Sequence, residues 1–129
     1  MTPAHYNAFC RALPHATHVR QWGNADVWKI GGKVFAIGGW NTDDAAHAEV
    51  DAFLSVTFKC SSISYDLLRE QEGCRPAPYL ASRGMKWIQR TSRASLDDDG
   101  LEAYLRESYR LASLNLTKKL QKELGLNQT

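Results

Sequence analysis

The sequence predicts a single α+β domain spanning residues 1–129, with an antiparallel sheet packed against N-terminal and C-terminal helices as a two-layer sandwich. Three observations carry this. A Gly31-Gly32 turn joins two β-patterned segments, apolar residues fall at helical spacing at both ends of the chain, and the order is helix, strands, helix, strand, long helix. A hairpin at the centre of such an order points to an antiparallel sheet with helices on one face.

The first helix starts at Thr2, a good N-cap, with Pro3 at the position where a missing N–H costs nothing. Tyr6, Phe9, Cys10 and Leu13 share one side of it, and Pro14 ends it. Val19 to Trp22 is a short strand, and Gly23-Asn24 a turn. Asp26 to Ile30 alternates apolar and polar, and Lys33 to Trp40 returns as its hairpin partner, since a Gly-Gly pair supplies the positive φ of a tight turn. Asn41 to Asp51 is a polar, acidic loop. Phe53 to Lys59 is a strand by its β-branched and aromatic content. Ser61 or Ser62 caps a helix bearing Ile63, Leu67 and Leu68, closed by Gly73. Pro76 and Pro78 keep the next stretch irregular before a last strand, Met85 to Gln89. Ser95 or Asp97 then caps a helix whose stripe runs through Leu101, Leu105, Tyr109, Ala112 and Leu116, with Leu120 and Leu124 extending it to Gly125.

Composition narrows the class. A chain of 129 residues can bury a core without staples. No apolar run reaches the roughly 20 residues of a membrane span, and the first residues lack a signal-peptide layout. Three cysteines without CxxC spacing suit reduced thiols, so a cytoplasmic location is expected; a monomer is expected as well. The net charge of +2 does not announce a nucleic-acid partner by itself.

Few motifs carry chemistry. His47-Ala48-Glu49 matches half of a zinc-deaminase signature but lacks the paired cysteines. Asp43, Asp44, His47, Glu49 and Asp51 lack the order of a calcium loop. His5, His15 and His18 have no carboxylate at telling spacing. Cys60 beside Lys59 is the one candidate nucleophile. No cofactor or metal is expected.

The distinctive stretch is Gly73 to Ser95, which holds Arg75, Arg83, Lys86, Arg90 and Arg93 with Tyr79 and Trp87 and no acid. Cations interleaved with aromatics suit a polyanion. If Ile88 points inward, Trp87 points outward with Arg83 or Arg90 near it and can stack a base. If Trp87 points inward, the patch is a charged rim. Trp22, Trp28 and Trp40 are expected to pack around the hairpin.

Gln21-Trp22-Gly23, Asp26-Val27-Trp28-Lys29, Gly32 to Ala36, Phe58-Lys59-Cys60, Arg75 to Leu80, Trp87, Leu105 to Tyr109 and Leu116 to Leu120 occur in an order that resembles the MmcQ/YjbR-like family of small bacterial proteins. The resemblance implies a curved antiparallel sheet on its helices, a fold likened to double-wing DNA-binding proteins, an unassigned role and no catalytic set. The expectation is therefore a non-catalytic protein that binds DNA through Arg75, Tyr79, Arg83, Lys86, Trp87, Arg90 and Arg93. The acidic loop after Trp40 and the three aspartates after the basic run would confine contact to residues 75–93. The alternative is a small-ligand or protein-interaction adaptor with an aromatic pocket among Trp28, Trp40 and Tyr79.

Overall fold

The computed structural model describes residues 1–39, 54–78 and 80–128. In chain order these form α1 (Pro3–Arg11), β1 (Ala16–Gln21), β2 (Ala25–Ile30), β3 (Lys33–Gly38), β4 (Val56–Lys59), α2 (Ser62–Leu68), β5 (Cys74–Pro76), a 3-10 turn (Ala81–Arg83), β6 (Trp87–Arg90), α3 (Asp98–Ser113) and α4 (Lys118–Leu124). The strands make one six-stranded antiparallel sheet in the order β1-β2-β3-β4-β6-β5. This is the α+β architecture the sequence predicts. Trp40, the acidic loop of residues 41–51 with its His47-Ala48-Glu49 motif, and Tyr79 lie outside the described residues.

Local signals act where expected. Thr2 caps α1 by accepting from the His5 amide at 3.1 Å. Gly31 and Gly32, at φ 56° and 83°, turn the chain so that Ile30 pairs with Lys33. Asp97, and not Ser95, caps α3, its carboxylate accepting from the Gly100 amide at 2.8 Å.

Three elements depart from expectation. Cys74–Pro76 is a strand, because β5 is the sheet edge, where proline removes no ladder donor that is needed. The long C-terminal helix is two helices. Thr117 caps the second by accepting from the Leu120 amide at 3.1 Å. Leu116, between the two, packs so closely on the hairpin turn that a Cβ at Gly31 would lie 2.7 Å from its Cδ2. In α2, Tyr65 and Leu68 face the core, while Ile63 is 84% exposed and Leu67 also faces solvent.

The helices cover one face of the sheet. Tyr6, Trp28, Phe35, Phe58, Ile88, Leu101 and Leu105 make the main core there. Ser108 of α3 stitches the layers together: its hydroxyl donates to the Phe35 carbonyl at 2.6 Å and accepts from the Lys59 amide at 2.8 Å. The far face is not bare. Ala25, Val27, Ile37 and Trp87 form a second, smaller core, and Ala77 and Leu80 bring the segment after β5 down onto it.

Candidate functional site

Side chains alternate between faces along a strand, and this divides the basic run. Ile88 and Arg90 of β6 face the helices, while Trp87 and Gln89 face away. Arg90 is 0% exposed; it donates to the Leu96 carbonyl and to Asp98 Oδ1, both at 2.9 Å. Asp98 also accepts from the Met1 α-amino group at 2.9 Å and from Arg93 Nε at 3.4 Å. Partial burial favours the protonated acid, but hydrogen bonds from Met1, Arg90 and Arg93 overcome it and hold the carboxyl well below the usual range. Arg90 is therefore a structural cation that no phosphate reaches, which corrects its place in the predicted patch. Arg93 stays at the surface but leans on the same carboxylate.

Trp87 is neither an exposed stacking platform nor part of the helix-side core. It is 5% exposed, in the second core with Ala77 and Leu80, and its Nε1–H has no hydrogen-bond partner. Sequence reasoning allowed only outward-exposed or inward-buried; the structure is outward and buried. Arg75 is exposed on β5 and donates from Nε and Nη2 to Gln89 Oε1 at 2.9 and 2.5 Å. Gln89 Nε2 in turn donates to Thr57 Oγ1 at 3.2 Å. Arg83 and Lys86 are exposed, with the Lys86 ammonium 4.8 Å above the Tyr65 ring on the α2 side. Among the described members of the predicted site, Arg75 and Trp87 thus belong to the far side of the sheet, Lys86, Arg90 and Arg93 to the helix side, and Arg83 ends the 3-10 turn that follows Leu80.

The other candidates are similarly relocated. Trp28 is 1% exposed beneath α1, its Nε1–H donating to Asn7 Oδ1 at 2.9 Å and its ring under the Arg11 guanidinium, so it lines no open aromatic pocket. Burial pushes the Cys60 thiol up to about 11 despite an opposing pull from Lys86, leaving it protonated at neutral pH and a poor nucleophile. Two histidines find carboxylates that spacing did not reveal. His5 lies 2.6 Å from Glu102, and His18 2.8 Å from Asp26, which Arg20 joins at 3.2 Å. Burial works against the Asp26 carboxylate, yet its bonds to His18 and Arg20 keep its pKa lowered. The β1–β2 register pairs Arg20 with Asp26, so only the hairpin geometry could have found that cluster. Among the described residues, no three His, Cys, Asp or Glu side chains gather as metal ligands, and no helix is long and apolar enough to cross a membrane.

One property of the site was invisible in the sequence. Every acidic residue among the described ones lies on a helix, at a helix cap or in the turn after α2, except Asp26, which faces the helices. The far side carries Lys59 and Arg75, with Arg83 on the segment that covers it, and no acid among the described residues.

The YjbR family model matches residues 11–111, which span all six strands and nearly all of α3. A Deinococcus radiodurans protein with a DUF419 domain has a crystal structure similar to this one, with a TM-score of 0.76 at 23% identity over 97% of this chain and 88% of its own. A Pseudomonas syringae protein of known structure is similar with a TM-score of 0.63 at 13% identity, over 87% of this chain and 99% of its own. At these identities the likeness is one of fold. No curated protein matches the chain.

Proposed function

The chain belongs to the YjbR family, whose molecular role is unassigned, and from that premise we propose that it is a non-catalytic protein that binds DNA on the side of the sheet away from its helices. The observation that carries this is the absence of described acids from the far side of the sheet. Phosphates are drawn to the side where Lys59, Arg75 and Arg83 meet no described acid, whereas the cations of the helical layer are interleaved with acids. Arg75 and Arg83 make the contacts, Lys86 stands at the rim, and Arg90 and Arg93 are occupied by Asp98. The protonated Cys60 thiol supports the non-catalytic half of the reading.

With about three phosphates neutralised, log affinity for duplex DNA falls against log salt with a slope of about −3. Fluorescence anisotropy with labelled duplex and single-stranded DNA at low salt tests the proposal. The expected result is weak, salt-sensitive binding that Arg75→Ala with Arg83→Ala abolishes. Arg106→Ala with Arg110→Ala, an equal charge change on α3, should leave it intact. No binding at low salt, or equal loss in the two double variants, would sink it.

A further inference from the structure

The chain beyond α4 turns back on itself. Gly125, at φ 70°, ends the helix, the Leu126 amide donates to the Gln121 carbonyl at 2.8 Å, and the Leu126 side chain is buried. Asn127 follows at φ 58°, a left-handed conformation that asparagine tolerates better than most residues. Between this returning tail, α4 and the end of α3 lies a cleft of about 530 Å³, lined by Leu114, Lys118, Gln121, Lys122, Asn127 and Gln128. That volume is within the range of small-molecule sites.

Hydrogen bonds hold the walls from behind. Gln121 Nε2 donates to the Leu116 carbonyl at 2.8 Å and the Leu114 carbonyl at 3.4 Å, and Gln121 Oε1 accepts from Asn127 Nδ2 at 3.0 Å. Asn127 Nδ2 also donates to Ser113 Oγ at 3.0 Å, whose own proton goes to the Arg110 carbonyl. This network fixes the Asn127 amide: both N–H groups are used, and Oδ1 is left able to accept. Gln128 is similar, since its Nε2 donates to the Leu126 carbonyl at 2.8 Å.

The charge on the walls is of one sign. Lys118 and Lys122 lie four residues apart on α4 and so share a row. Both are exposed, and neither makes an ion pair or hydrogen bond among the described residues. Glu123 falls in the next row with Lys119, and among the described residues no Asp or Glu lines the cleft. Like charges one turn apart repel, a dianion between them removes that cost, and lysine serves as a point charge for phosphate.

We propose that this cleft binds a small phosphate monoester with hydroxyl groups, of the sugar-phosphate class. The Lys118 and Lys122 ammonium groups hold the phosphate. Hydroxyls of the sugar donate to the side-chain carbonyls of Asn127 and Gln128, and exposed Leu114 takes its C–H face. The site is independent of DNA binding, since it needs neither Arg75 nor Arg83.

The test follows the Asn127 side-chain amide and the Leu114, Lys118 and Lys122 backbone amides by nitrogen–proton NMR on the full chain. Ribose 5-phosphate, inorganic phosphate and ribose are titrated separately. The expected result is a saturable shift with ribose 5-phosphate, a weaker response to inorganic phosphate and none to ribose at the same concentrations. Lys118→Gln with Lys122→Gln weakens ribose 5-phosphate binding about ten-fold or more. Lys33→Gln with Lys119→Gln, an equal charge change outside the cleft, leaves it unchanged, as does Arg75→Ala with Arg83→Ala. No saturable shift with ribose 5-phosphate, equal binding of inorganic phosphate, or equal loss in the two lysine double variants overturns the proposal.

Discussion

On the helix side of the sheet Arg90 is fully buried and bonded to Leu96 and Asp98, whereas on the far side Arg75 lies exposed beside Gln89. The two tryptophans differ in the same sense: Trp28 has an acceptor for its N–H and Trp87 has none. One face gathers the acids and ties its buried arginine to Asp98; the other has a small core, cations and an indole N–H without an acceptor. A run of uniform composition thus becomes two environments, because β alternation sends adjacent residues in opposite directions.

The largest expected effect that would break this contrast is at the arginines. Arg90→Ala removes a buried cation from the Asp98 network and should lower the unfolding free energy in urea by about 3 kcal/mol or more. Arg75→Ala should change it by no more than about 0.5 kcal/mol. Similar costs for the two would erase the distinction between the faces. Next come the indoles. Phenylalanine at position 28 strands the Asn7 carbonyl, while at position 87 it removes a donor that had no partner. Trp28→Phe should therefore cost about 1–2 kcal/mol more than Trp87→Phe in paired denaturation curves.

The smallest effect concerns acid. Asp98 and Asp26 both titrate below the usual carboxylate range in the fold. Their stabilisation is complete above the unfolded carboxylate pKa of about 4 and is lost as pH falls through the lower folded values. Urea midpoints should drop below about pH 4, and Asp98→Asn should flatten that drop. An Asp98→Asn profile as steep as the wild type would show that the helix-side network contributes nothing to it.

Much of the fold is written in local signals. Thr2, Ser61, Asp97 and the Gly31-Gly32 pair act through their own backbone, so residue type suffices to place them. The break between α3 and α4 escapes because the apolar stripe keeps its phase across Leu116, and what stops the helix there is a cap and a contact with a distant turn. The candidate site is less legible. A run of cations reads as solvent-facing until the partner of Arg90 is known, and Asp98 lies beyond the strand, on the next helix. Nor does alternation alone reveal that the segment with Ala77 and Leu80 folds back over Trp87. Composition identified the region, and tertiary structure decided which side of it faces what.

Ser108 has a consequence for dynamics. The Lys59 amide is protected by a side chain of α3, whereas the amides at the centre of the sheet are protected by neighbouring strands. Its hydrogen exchange therefore requires α3 to lift away, and comparing it with the β6 amides separates undocking of the helix layer from melting of the sheet. A single backbone proton thus times the parting of the two layers.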